Sequence, residues 1–250
     1  MGIKTEKEYE VHYYEVNYKL ECKISSIINY FCDIGTKQSE ELGVGIDYLT
    51  ERRLAWVFYR YDINIKRYPK FGEKIKVVTK AKSFKKFYAS REYEIYDENN
   101  EKIVDGEGIF LLINIDKRRA VRIPDDQYTA YGVELDEKSD IKIEKLEKLQ
   151  EVTSKNFFKV RYGDIDSNMH VNNVRYVEWA VESLPLEIVL NYELKDLSVV
   201  FEKECKYGAE IIASYELRED NDELIVLHKI ENDEGTELSI LKSRWIKLKN

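Results

Sequence analysis

Asp166, Asn168 and His170 alternate within the run Arg161–Asn173, RYGDIDSNMHVNN. In an extended turn, alternate residues point to one side, so the three side chains could share a face. A strand pattern ends before this run and a helix pattern begins after it. The three therefore sit at or just before a helix N-terminus, where backbone N–H groups lack partners and carry partial positive charge. Such a place can polarise a carbonyl and stabilise the oxyanion formed on attack, with a histidine at hand for proton transfer. The same run also reads as a polar capping turn, because turns favour Asp and Asn.

A second polar point is Glu204-Cys205, at a break between two strands. A Cys beside a Glu, with a His elsewhere, invites a cysteine-nucleophile reading, and a buried small filler is the plainer one. No Gly-x-Ser-x-Gly elbow is present, which argues against a serine hydrolase. The other histidines, His12 and His228, fall in strand-like segments and read as structural.

The elements that position these residues occur twice. Trp56–Lys80 and Leu197–Leu217 each read as strand, short break, strand, with Lys70-Phe71-Gly72 matching Lys206-Tyr207-Gly208. Ahead of each break lies a helix pattern. In the first, Ser25 or Ser26 could cap a run carrying Ile27, Ile28, Phe31 and Ile34, ending at Leu42-Gly43. In the second, Asn172 or Asn173 could cap Val174, Val177, Ala180, Val181 and Leu184, with Pro185 as the stop. After each break come strand pairs, 88–97 with 102–115 and 223–231 with 236–248. Each half thus reads as a strand, one helix and four strands, an α+β unit in which a curved antiparallel sheet wraps a single helix. The expected division is 1–128, a charged linker at 129–152 that is partly helical from Asp140, and 153–250. The two units are expected to pack as an internal pseudo-dimer. The start of the first helix offers Glu21-Cys22-Lys23-Ile24-Ser25-Ser26, with no Asp/Asn/His set, so the fold is duplicated while the polar chemistry is not.

Composition narrows the rest. The 250 residues carry a formal net charge of −8, which opposes binding to nucleic acid or anionic membranes. Two basic stretches run against it: Lys74, Lys76, Lys80, Lys82, Lys85, Lys86 and Arg91, and then Lys117, Arg118, Arg119 and Arg122. Each reads as a solvated strand face or as a dock for an acidic partner. Three irregularly spaced cysteines make neither a disulfide framework nor a zinc site. The first residues lack the apolar core of a signal peptide, and no apolar run reaches the length of a membrane span. A cytoplasmic protein with no stable membrane insertion is expected.

DIDSNMHVNNVRYVEWAVESLP, followed by VVFEKECKYGAEI, resembles the fatty acyl–acyl carrier protein (acyl-ACP) thioesterases, over nearly the whole chain. That resemblance implies a tandem double hotdog and a thioester hydrolase needing no metal or cofactor. It places the catalytic set on Asp166, Asn168, His170 and Glu204. Cys205 matches a cysteine once favoured as the family's nucleophile. The resemblance also puts the acyl-tail pocket in the N-terminal unit, near Trp56 and the first helix, and the thioester carbonyl near Asn173. The partner it implies is acyl carrier protein, an acidic protein that either basic stretch could dock, and it leaves a homodimer open. The absence of a transit peptide suggests a bacterial member. An acyl-coenzyme A thioesterase, a non-catalytic acyl-binding module and a hotdog dehydratase are the alternatives.

Overall fold

The structure is a computed structural model, which describes residues 2–134, 141 and 143–248. The chain forms two compact units, Met1–Tyr59 with Ile65–Ile143 and Arg60–Asn64 with Glu144–Asn250.

In the first unit, α1 (Ile24–Glu41) lies against β1 (Lys4–Glu10) and β3 (Lys74–Lys85). Its buried face is Ile24, Ile27, Ile28, Phe31, Ile34 and Gln38, and Phe31 stacks on Tyr93 at 4.6 Å. The helix starts earlier than the serine caps suggested. Ser25 and Ser26 lie inside it and are buried, and the N-cap, Lys23, makes no side-chain cap bond. Burying a large apolar residue such as Ile24 is worth about 1.5–3 kcal/mol, which exceeds the roughly 1 kcal/mol of a good cap. Gly43, at φ +69°, ends the helix where the sequence placed the stop. The strand order is β1-β3-β4-β5-β2, with β2 at Leu54–Ile65, β4 at Tyr88–Tyr96 and β5 at Lys102–Asn114. Two short helices, α2 (Ile46–Glu51) and α3 (Asp125–Tyr131), and the two-residue strand β6 (Arg119–Ala120) complete the unit.

In the second unit the order is β8-β11-β10-β9-β7, with β7 at Ser154–Lys159, β8 at Tyr192–Phe201, β9 at Glu210–Asp220, β10 at Glu223–Asn232 and β11 at Glu237–Lys247. Residues Arg60–Asn64, from the second half of β2, group here and pair antiparallel with β8, from Arg60↔Val200 to Asn64↔Asp196. The helix α4 (Asn173–Glu182) packs on β9, β10 and β11 through Val174, Tyr176, Val177, Trp179 and Ala180. Pro185 does not merely stop it, for it caps a further short helix, α5 (Leu186–Asn191).

Two further expectations need correction. His12 lies beyond β1, at the N-cap of a 3₁₀ turn (Tyr13–Glu15), because the strand's pairing with β3 ends at Glu10↔Lys74. Asp140 lies outside the described residues, and 143–152 carry no helix; several of their groups are instead spent on partners in the second unit, such as the Gln150 and Glu151 N–H groups on Glu216 (2.6 and 3.1 Å).

His228 on β10 is structural, as expected. It is 2% exposed, and Nε2 lies 2.9 Å from the Ser243 hydroxyl, which also accepts the Trp245 indole N–H at 2.9 Å. Burial pushes its imidazole down to about 3. The folded protein therefore keeps His228 neutral where the unfolded chain, at an ordinary value near 6.5, takes up a proton. This stabilisation is full above about pH 6.5 and is lost as the pH falls toward about 3, at up to roughly 1.4 kcal/mol per pH unit. Urea unfolding of His228→Gln between pH 6 and 3.5 should show a slope against pH shallower than wild type by about that amount. Parallel curves would contradict the burial argument.

Candidate active site

Behind β7, a 3₁₀ turn (Tyr162–Asp164) reverses the chain. Asp164 anchors it. Its carboxylate is 1% exposed and accepts the Arg161 N–H at 2.8 Å, with the Arg161 and Arg175 guanidiniums at 3.1 and 3.4 Å. Burial alone would raise this carboxyl, but the Arg161 and Arg175 contacts outweigh it and hold it below the usual range. The Asp164 carbonyl takes the Asn172 N–H at 2.9 Å. This residue was not singled out from the sequence; the D-x-D spacing with Asp166 was the available signal.

Residues 166–170 then form a tight loop. The Asp166 N–H donates to the His170 carbonyl (2.8 Å), and the Met169 N–H to the Asp166 carbonyl (3.1 Å), with Met169 in the left-handed region at φ +62°. Asp166 Oδ1 accepts the backbone N–H groups of Asn168 (2.8 Å) and His170 (3.3 Å). The Val171 N–H donates to the Cys205 carbonyl at 2.9 Å, drawing the strand break against the loop. As a result His170 Nε2 stands 3.3 Å from Glu204 Oε2. The two side chains are 23% and 35% exposed, so water reaches both.

At the start of α4, Asn172 Oδ1 accepts the Val174 N–H at 3.0 Å. The cap thus uses one of the helix's first donors, and among the described residues nothing accepts the N–H of Asn173. The Asn168 side chain is exposed at the loop tip. Asp166, His170 and Glu204 are therefore brought together, with Asn168 and Asn173 on the flanking backbone. Trp56 belongs to the first unit, where it is half-buried against Phe84 at 6.1 Å, beside a core of Val44, Leu112, Tyr128 and Tyr131. Cys205 is 6% exposed, and burial pushes its thiol up, away from the thiolate a nucleophile needs. Among the described residues no group of three or more His, Cys, Asp or Glu side chains is placed to hold a metal ion.

The first unit repeats this loop bond for bond. The Asn17 N–H donates to the Glu21 carbonyl (2.8 Å), the Leu20 N–H to the Asn17 carbonyl (3.0 Å), and Leu20 has φ +59°. Asn17 Oδ1 accepts the N–H groups of Lys19 (2.8 Å) and Glu21 (3.2 Å), and the Cys22 N–H donates to the Pro69 carbonyl at 2.8 Å. The match sets Asn17, Lys19, Glu21 and Tyr68 against Asp166, Asn168, His170 and Glu204.

The acyl-ACP thioesterase N-terminal domain pattern matches residues 2–131 and the C-terminal domain pattern matches 146–247. The chain belongs to the acyl-ACP thioesterase family. A chloroplastic acyl-[acyl-carrier-protein] hydrolase of Cuphea viscosissima is 25% identical over 258 residues, covering 98% of this chain and 63% of that protein. An oleoyl-acyl carrier protein thioesterase of Arabidopsis thaliana is 26% identical over 222 residues, covering 82% and 61%. The chain thus spans less than two thirds of the length of these curated relatives. Among solved structures, a Lactobacillus plantarum protein provisionally named an oleoyl thioesterase superposes with a TM-score of 0.91 at 24% identity, covering 100% of this chain and 98% of that one. An acyl-ACP thioesterase from Bacteroides thetaiotaomicron gives 0.82 at 19% identity, covering 98% of each. The fold of this family member is the tandem double hotdog anticipated from the sequence.

The basic stretches fare differently. Lys80 and Lys82 pair with Glu92 (2.8 and 3.3 Å), Lys82 also with Glu107 (3.1 Å), and Arg91 is buried and donates to Gln38. Lys117, Arg118, Arg119 and Arg122 are exposed, and the Ile123 N–H on the Lys86 carbonyl (2.8 Å) brings Lys86 alongside them.

Because Asn17 makes the bonds that Asp166 makes, the loop needs a side-chain acceptor there and not a charge. Asp166→Asn should unfold in urea within about 0.5 kcal/mol of wild type, whereas Asp166→Ala should lose about 1 kcal/mol, as a lost cap does. Equal losses in both variants would contradict this.

Proposed function

We propose that the chain hydrolyses fatty acyl-ACP thioesters to free fatty acid and ACP. The observation that carries this is the His170–Glu204 contact of 3.3 Å at the mouth of α4, in the copy of the loop where Glu21 and Tyr68 are replaced. A water lodged by His170 and Glu204 attacks the thioester carbon and gives up its proton to this pair. The carbonyl oxygen, now negative, faces the Asn173 N–H and the positive end of α4, with the Asn168 amide as a second donor. Collapse breaks the C–S bond, the thiolate takes the proton back, and the acid and the carrier thiol leave. Asp166 holds the loop through Oδ1 and lends its charge to the imidazole, a positioning role in place of attack on the carbonyl.

In this reading the units divide the work. Residues 1–128 form the hotdog whose apolar core around Trp56 takes the acyl tail, 129–152 connect, and 153–250 carry the chemistry. Lys86, Lys117, Arg118, Arg119 and Arg122 form the more exposed of the two candidate docks for acidic ACP. The three free cysteines fit a cytoplasmic location, and among the described residues no helix is long and apolar enough to cross a membrane.

General acid–base catalysis supplies about 10²- to 10⁴-fold. Glu204→Gln and His170→Ala should each lower kcat by about that factor on an acyl-ACP, with unchanged unfolding midpoints, while Cys205→Ala retains most activity. A folded Glu204→Gln protein with near-normal kcat would remove that residue's role. Docking through charge also predicts a KM for acyl-ACP that rises steeply with salt, unlike the KM for the acyl-pantetheine of the same acid. A flat salt response would remove the basic surface.

A further inference from the structure

The internal repeat identifies one more position where the second copy departs from the first. The loop and helix of the two units correspond with an offset of 149 residues, as in Asn17 and Asp166 or Leu20 and Met169. The match extends back to the two 3₁₀ turns, each of which ends on an acid, Glu15 and Asp164. Each carboxylate accepts the N–H three residues before it, from His12 on Glu15 (2.7 Å) and from Arg161 on Asp164 (2.8 Å). Each acid's carbonyl accepts the N–H of the following helix's N-cap, Lys23 and Asn172, at 2.9 Å in both units. The same joint therefore ties turn to helix twice.

One side chain from the third residue of each helix crosses this joint, and there the copies differ. In the first unit it is Ser26, whose hydroxyl donates to the Glu15 carbonyl at 3.0 Å. In the second it is Arg175. Its guanidinium stands 3.4 Å from the Asp164 carboxylate, donates to the Gly163 carbonyl at 3.2 Å, and pairs with Glu178 further along α4. A cation is disfavoured at the positive end of a helix, so its charge alone does not explain the residue. Asp164 and Glu178 take up that charge. What the guanidinium adds to a hydroxyl is reach and a rigid fork, which holds turn and helix together at several points.

The joint lies between the two halves of the site. The turn leads into loop 166–170 and so to His170, and the helix start carries the Asn173 N–H. We infer that Arg175 is a positioning residue, which sets the first turn of α4 against the loop that carries His170. It acts through Asp164 and Gly163. The first unit has no Asp/Asn/His set to align, and there a single hydroxyl bond spans the joint.

This rests on the hydrolytic reading for its catalytic consequence, so the test has one arm that needs no turnover. In the full chain, amide hydrogen exchange at Asn172 should be at least about tenfold faster in Arg175→Gln than in wild type, with the amides of β10 unchanged. Unchanged exchange at Asn172 would overturn the joint, whatever reaction the protein performs. In the activity arm, Arg175→Gln should lower kcat on an acyl-ACP about 10- to 100-fold, the size of a hydrogen bond to a charged group, with KM within about twofold. Arg175→Lys keeps a charge beside Asp164 but loses the fork. It should unfold in urea with a midpoint close to wild type and still be at least about fivefold down in kcat. A wild-type kcat in either variant, or a loss carried by KM instead of kcat, would overturn the positioning role. Faster exchange at Asn172 with no hydrolysis by wild type would instead count against the proposed function alone.

Discussion

The bond from the Val171 N–H to the Cys205 carbonyl is the constraint on which the site depends. It joins the start of a helix to the break between two strands, segments more than thirty residues apart in sequence. With it in place, a histidine just before the helix and a glutamate just before the cysteine meet without any further fitting. It is a backbone bond, and therefore indifferent to side chains. The first unit makes it too, between Cys22 and Pro69, with Glu21 and Tyr68 in the positions that His170 and Glu204 hold in the second. The fold supplies the meeting place twice, and the side chains decide whether anything is done there.

Loop geometry follows the same division. Asp166 and Asn17 both offer one oxygen to two backbone N–H groups, and Met169 and Leu20 both take a left-handed conformation that costs a side-chain-bearing residue about 1–2 kcal/mol. These features are common to both copies and so belong to folding. What distinguishes the second copy is a carboxylate for an amide at 166, an amide for an ammonium at 168, an imidazole for a carboxylate at 170 and a carboxylate for a phenol at 204. Arg161 and Arg175 around the buried Asp164 lend rigidity beneath the loop, since a buried carboxylate flanked by two guanidiniums has little freedom to shift.

Much of this was legible in the sequence because it is written in local signals. The helix after Asn172 announces itself by its cap and apolar spacing, and the strand pairs by their alternation and turns. The repeat could be seen from the Gly72 and Gly208 breaks together with the matching order of the helix and strands around them. What was not legible depends on contacts distant in sequence. Ser25 and Ser26 have the chemistry of caps, yet burial of Ile24 carries the helix past them. Arg91 lies in a basic run, yet its strand alternation turns it inward to Gln38. Asp164 resembles any turn aspartate until Arg161 and Arg175 close over it. The alignment of the two loops could not be read either, because Asn17 to Glu21 shares only its bonds with Asp166 to His170.

The central claim, that the loop is scaffold and four side chains are chemistry, is tested most directly by writing the first copy into the second. The variant Asp166→Asn, Asn168→Lys, His170→Glu, Glu204→Tyr should fold with an unfolding midpoint close to wild type. Its hydrolysis of an acyl-ACP, followed by release of the carrier thiol, should fall by at least about 10³-fold. Hydrolysis near the wild-type rate in that folded variant would contradict the account.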